Sequence, residues 1–128
     1  MAMKALIIED DHEIAEIYGH KFKEEGFEVE KAENGAWGLK KIQEKKFDIV
    51  ILDMSMPAMD GLEMLLKIKE EKEKNGYPKV FVLSNTALED DLKAMQQAGA
   101  DKVFIKIRVT PKEVFNEAIN IIKSQNEI

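Results

Sequence analysis

An open, doubly wound α/β fold, with five parallel strands and five helices and the spatial strand order 2-1-3-4-5, is predicted by three features of the chain. Short apolar runs alternate with longer segments of helical period about five times along the sequence. Two of the runs, Ala5-Leu6-Ile7-Ile8 and Ile49-Val50-Ile51-Leu52, lack polar alternation, as central strands covered by helices on both faces do. The length, 128 residues, suits one domain over residues 1–128 and falls far short of the roughly 250 residues of a closed eight-stranded barrel. Right-handed crossovers then leave an open sheet, for which 2-1-3-4-5 is the common five-strand order.

The predicted strands are Lys4 to Ile8, Phe27 to Ala32, Ile49 to Leu52, Val80 to Leu83 and Val103 to Ile105. Ile14, Ile17, Tyr18 and Phe22 trace one face of the first helix, and Gly26 stands where a left-handed C-terminal cap is needed. The second helix runs from about Ala36 to Glu44 after Asn34-Gly35. The third begins near Leu62 and ends in the charged run Glu70 to Lys74. Leu88, Leu92, Met95 and Ala98 mark the inner face of the fourth, closed by Gly99. Thr110-Pro111-Lys112-Glu113 starts the fifth: threonine caps, proline suits the first position and glutamate reaches back.

Composition narrows the function. Lys and Arg total 19 against 25 Asp and Glu, a formal charge of -6, the wrong sign for a chain that grips nucleic acid through phosphates. Cysteine is absent, which removes disulfides, thiolate nucleophiles and zinc-cysteine sites. No apolar run approaches the roughly 18 residues of a membrane span. A cytoplasmic protein without membrane or nucleic-acid contact is expected.

In a sheet of this order, ligands bind where the order reverses, between strands 1 and 3. Glu9, Asp10 and Asp11 follow strand 1, Asp53 ends strand 3, Ser84 ends strand 4 and Lys106 ends strand 5. Carboxylates so close repel one another unless a cation or proton intervenes. Hard oxygen donors without Cys or His favour Mg2+ or Mn2+, which keeps several waters and often bridges to phosphate. Lys106 and Ser84 are suited to hold phosphoryl oxygens, and Asp53 is the candidate nucleophile for an aspartyl phosphate. Asp11 is equally an N-cap, and Asp60-Gly61 a turn. Trp37 is expected at the edge of a helix face, the methionines 54, 56, 59 and 64 as filling around the loop, and His12 and His20 on the surface.

The stretch Asp53-Met54-Ser55-Met56-Pro57-Ala58-Met59-Asp60-Gly61, read with Glu9-Asp10 upstream and Lys106 downstream, resembles the phosphoacceptor loop of the receiver domains of two-component response regulators, a CheY-like, flavodoxin-like fold. The resemblance implies that Asp53 is phosphorylated and that Glu9, Asp10, Asp53 and the backbone carbonyl of Ser55 hold the metal. Ser84 then takes the hydroxyl position and Lys106 the phosphate-pairing position. It further implies a sensor histidine kinase or phosphotransfer protein as donor and a signalling module rather than an enzyme. A downstream effector would dock on the face made by the fourth helix, fifth strand and fifth helix, and homodimerisation on activation is left open. Two positions depart from the pattern. Ile107 follows the lysine where proline is usual, so a trans bond and a rerouted loop are expected. Val103 stands where an aromatic residue is usual, with Phe104 next to it.

Two other readings remain. One is a phosphate-independent pseudo-receiver that only binds partners. The other is a haloacid-dehalogenase-type phosphohydrolase, which needs a second aspartate where this chain has Ser55.

Overall fold

The computed structural model describes residues 2–56 and 60–126. Its elements run β1 (Lys4–Ile8), α1 (His12–Glu24), β2 (Glu28–Ala32), α2 (Gly35–Glu44), β3 (Ile49–Asp53), α3 (Gly61–Asn75), β4 (Lys79–Ser84), α4 (Glu89–Gln97), β5 (Lys102–Ile105) and α5 (Pro111–Asn126). All four strand pairings are parallel, in the order β2-β1-β3-β4-β5. The predicted architecture is therefore the observed one, with strand limits within one residue of those read from the sequence.

The unbroken apolar runs are explained by two cores, one on each face of the sheet. Leu6, Ile8, Val50, Leu52, Val80 and Val82 pack with Ile42 of α2, Leu65 and Ile68 of α3 and Met95 of α4. Ala5, Ile7, Ile49, Ile51, Phe81 and Leu83 face the other way, against Ala15, Tyr18 and Phe22 of α1 and Val114, Phe115 and Ala118 of α5. Successive residues of a strand point to opposite faces, so a central strand sandwiched between helices has no polar face.

The helix ends follow from their sequences. Asp11 is the N-cap of α1, accepting from the N–H of Glu13 and Ile14. Asn34 caps α2 through the N–H of Trp37 at 2.8 Å. At the start of α5, Thr110 Oγ1 accepts from Glu113 N at 3.2 Å while Glu113 Oε1 accepts from Thr110 N at 3.1 Å, the reciprocal box the sequence implies. Gly26 and Gly99 have φ of 90° and 112°. Each donates back into its helix, and the residue after it bonds one residue further in (Phe27 N to Phe22 O, Ala100 N to Met95 O).

Two expectations are corrected. Ile17 is 55% exposed, because the buried stripe of α1 is Ala15, Tyr18, Gly19 and Phe22, and Ile17 falls outside it. Leu88 is 68% exposed: α4 starts only at Glu89, which leaves Leu88 as an N-cap rather than a core position. Residues 57–59, including Pro57 and Met59 of the loop that follows Asp53, lie outside the described residues.

The α1–α5 layer closes on three edge-to-face rings, Phe22 with Phe27 and Phe115 at centroid distances of 5.1 and 5.0 Å and Phe27 with Phe115 at 5.8 Å. Phe22 is fully buried. Phe22→Ala should therefore lower unfolding stability by about 3–5 kcal/mol in denaturant titrations. Ile17→Ala on the same helix should change it by no more than about 0.5 kcal/mol.

Candidate functional site

Strand parity decides which side chains meet at the carboxyl edge. Ala5 and Ile7 face the α1–α5 layer, so Glu9 continues their row; Ile49 and Ile51 do the same for Asp53, and Phe104 for Lys106. The pairing of Ile7 with Ile51 and of Ile8 with Leu52 carries on past the strand ends and sets Glu9 beside Asp53. Ser84 instead follows Val80 and Val82, on the opposite face.

Glu9 and Asp53 are buried, with 4% and 1% of their surface exposed, whereas Asp10 is exposed. One carboxylate oxygen from each of the three lies within 4.8 Å of the others. Both oxygens of Asp53 are engaged. Oδ1 accepts from Ser55 N at 2.8 Å and Ser55 Oγ at 2.5 Å, and Oδ2 accepts from Lys106 Nζ at 2.7 Å. Lys106 Nζ also lies 3.7 Å from Glu9 Oε2, which is buried without a hydrogen-bond partner. Glu9 Oε1 accepts from Asp11 N at 3.0 Å.

One ammonium group cannot balance two buried carboxylates. Burial, and then the proximity of Asp53, hold the Glu9 carboxyl up to about 8. Burial works against the charge on Asp53 as well, but the adjoining Glu9 carboxyl and the hydrogen bonds from Lys106 and Ser55 outweigh it and hold Asp53 down to about 2. The lysine is likewise desolvated, and the carboxylates of Asp53 and Glu9 more than offset this, raising its pKa. The two carboxyls are thus pushed apart, Glu9 toward its protonated form and Asp53 toward its charged form. The unpartnered Glu9 oxygen and the all-oxygen donor set fit a hard divalent cation, which would displace that proton.

Lys106 reaches Asp53 despite Ile107. Residues Lys106–Arg108 form one 3-10 turn, and the cis peptide bond among the described residues is at Tyr77–Pro78. Ser84 is not in hydrogen-bond contact with the cluster; its hydroxyl accepts from Thr86 N at 3.1 Å and donates to Thr86 O at 3.2 Å. The Ser55 side chain, which the sequence left without a role, is bonded to Asp53. The signal was present: an aspartate often accepts from the N–H two residues on, which brings the side chain there into reach. Phe104 is buried in the α1–α5 core, while Val103 packs against the opposite one. Met56 and Met64 are buried in that opposite core, with Met54 against it, as filling. His12 and His20 are exposed, and Trp37, 53% exposed, lines with Asp10 a cavity of about 470 Å³ between α2 and α3.

The family model of the response regulator receiver domain matches residues 5–118. The chain belongs to that family. Among curated relatives of this receiver domain, the transcriptional regulatory protein GlrR of Escherichia coli is 33% identical over 92 residues, 72% of this chain and 20% of that protein. The alkaline phosphatase synthesis transcriptional regulatory protein PhoP of Bacillus subtilis is 28% identical over 128 residues, all of this chain and 51% of that protein. The chain thus spans at most about half the length of these relatives. A CheY-like receiver domain protein from Methanospirillum hungatei superposes with a TM-score of 0.86 at 25% identity, covering 98% of each chain. A chain from the CheX-CheY-BeF3-Mg2+ complex of Borrelia burgdorferi gives 0.81 at 25% identity, covering 94% of this chain and 89% of that one. As a receiver domain the protein is a signalling module of the two-component, CheY-like kind, and among its described residues no helix is long and apolar enough to cross a membrane.

The raised Glu9 carboxyl has a measurable consequence without metal. Because Glu9 ionises near 4.5 in the unfolded chain and near 8 in the fold, the folded state holds the extra proton between those values. Stability in chelator should therefore fall as pH rises from about 4.5 to 8, and Glu9→Gln should flatten that slope. Asp53 acts in a separate window, adding stability that is lost as pH falls from 3.8 toward 2. Denaturant unfolding at successive pH values measures both.

Proposed function

We propose that the chain is a phosphorelay response regulator that takes a phosphoryl group onto Asp53 from a sensor histidine kinase or phosphotransfer protein in the cytoplasm. The observation that carries this reading is the Asp53 carboxylate. It is buried, ionised, held through both oxygens by Ser55 and Lys106, and within 4.8 Å of two more acidic groups.

The roles follow from chemistry. Asp53 is the nucleophile: one of its oxygens bonds to phosphorus as the donor's P–N bond breaks, and the imidazole keeps that electron pair. Glu9, Asp10, Asp53 and the Ser55 backbone carbonyl would hold Mg2+ or Mn2+. The cation supplies charge neutralisation for the phosphoryl oxygens. Lys106, already 2.7 Å from the Asp53 carboxylate, is positioned to follow the negative charge onto the phosphoryl group. The Ser84 hydroxyl, turned onto Thr86 at rest, would leave it to donate to a phosphoryl oxygen and so draw on the loop leading into α4.

Output is proposed through the face of α4, β5 and α5, toward a downstream protein, with new charge-assisted bonds at Ser84 and Lys106 biasing the loop and helix. With Phe104 locked in the α1–α5 core and valine at position 103, this output does not run through a rotating aromatic side chain. A hydrolase of the haloacid dehalogenase type is disfavoured because residue 55 donates to the nucleophile rather than offering a carboxylate.

Incubation with acetyl phosphate and Mg2+ should add a mass of about 80 daltons, one PO3H, and Asp53→Asn should abolish it. An adduct that persists in this variant, or its absence from the unaltered protein, would overturn the assignment.

A further inference from the structure

The Ser55 hydroxyl is bonded to the side chain that would both bind metal and accept phosphate. Asp53 Oδ2 belongs to Lys106, whose ammonium group also lies 3.7 Å from Glu9 Oε2. With the ammonium bonded directly to Oδ2, the oxygen of Asp53 left to a cation is Oδ1. Yet Oδ1 already has two donors, Ser55 N at 2.8 Å and Ser55 Oγ at 2.5 Å. A carboxylate oxygen offers about two lone-pair directions, and both are taken.

A cation arriving at Oδ1 must therefore displace one donor. The amide is fixed by the backbone of the turn that follows β3, whereas the hydroxyl moves by rotation about a single bond. It also has an alternative neighbour, since Lys106 Nζ lies 3.4 Å from Ser55 Oγ and leaves that oxygen an acceptor role. Ser55 itself is exposed, so the released hydroxyl can also bond to water.

We propose that the Ser55 hydroxyl is a displaceable stand-in for the metal: it satisfies Asp53 Oδ1 in the metal-free protein and must swing away for a divalent cation to bind. Ser55 is in this sense a positioning residue that sets the metal affinity by competing for Oδ1. The inference rests on the proposed function, which makes this cluster the metal site, but adds a role that the backbone carbonyl of the same residue does not have. A hydroxyl that merely supported the turn would weaken metal binding when removed. A competing hydroxyl does the reverse.

The test is calorimetric titration of the full chain with MgCl2, with emission of the single tryptophan, Trp37, as a second readout because Trp37 and Asp10 line one cavity. Ser55→Ala, which keeps the backbone carbonyl, should bind Mg2+ about three- to tenfold more tightly than the unaltered protein, and Ser55→Thr should stay within about twofold of it, since with water free to take the place of the hydroxyl the net contribution of one hydrogen bond is modest. Unchanged or weaker binding by Ser55→Ala, with the unaltered protein saturating normally, overturns the stand-in role and leaves the proposed function intact. Failure of the unaltered protein to bind Mg2+ at all overturns both.

Discussion

Two carboxylates buried side by side with a single lysine to balance them form the constraint around which the site is organised. Glu9 and Asp53 end adjacent central strands, and the backbone register leaves them no way apart. Lys106 neutralises one negative charge; the second must be removed by a proton or answered by a cation. The raised Glu9 carboxyl leans toward the first. The unsatisfied Glu9 oxygen marks where the second solution applies. Leaving a buried polar atom unpaired costs stability, and such a cost is accepted where a ligand will later relieve it.

The rest of the fold serves this arrangement. Parallel strands bring all their carboxyl ends to one edge, and two apolar cores, one per face, hold the central strands without slack. Since a one-residue slip in register would turn every side chain to the other face, the same packing that buries Ile7 and Ile51 also fixes Glu9 and Asp53 in one row. Ser84, in the other row, meets its own loop instead. The structure thereby sets Glu9, Asp53 and Lys106 in one row and Ser84, bonded to its own loop, in the other.

Much of this was legible in the sequence. The continuous apolar runs revealed central parallel strands, the threonine-to-glutamate box and the two glycines marked helix ends, and the residues at the strand ends named Glu9, Asp10, Asp53 and Lys106. What escaped were features set by tertiary geometry. Ile17 and Leu88 match a helical period yet face outward, because the period fixes spacing and the packing partner fixes phase. The Ser55 hydroxyl was overlooked although the spacing of two from Asp53 could have flagged it, because the resemblance drew attention to the backbone carbonyl of Ser55 instead. Ser84 was read as part of the cluster, whereas strand parity, applied from Val80 and Val82 onward, turns it away at rest. The reach of Lys106 past Ile107 depends on the turn at Lys106–Arg108, whose shape follows from the loop and not from a single residue.

The central claim is that Glu9, Asp10 and Asp53 share one cation site across the ends of β1 and β3. Amide NMR spectra of the isotope-labelled protein recorded through a MgCl2 titration test it most directly. The account predicts saturable shifts concentrated at residues 9–11, 53–55 and 106, with the loop at residues 84–86 following only weakly. Shifts that fail to saturate, or that centre on the surface acids of α3 and α4 instead, would contradict it.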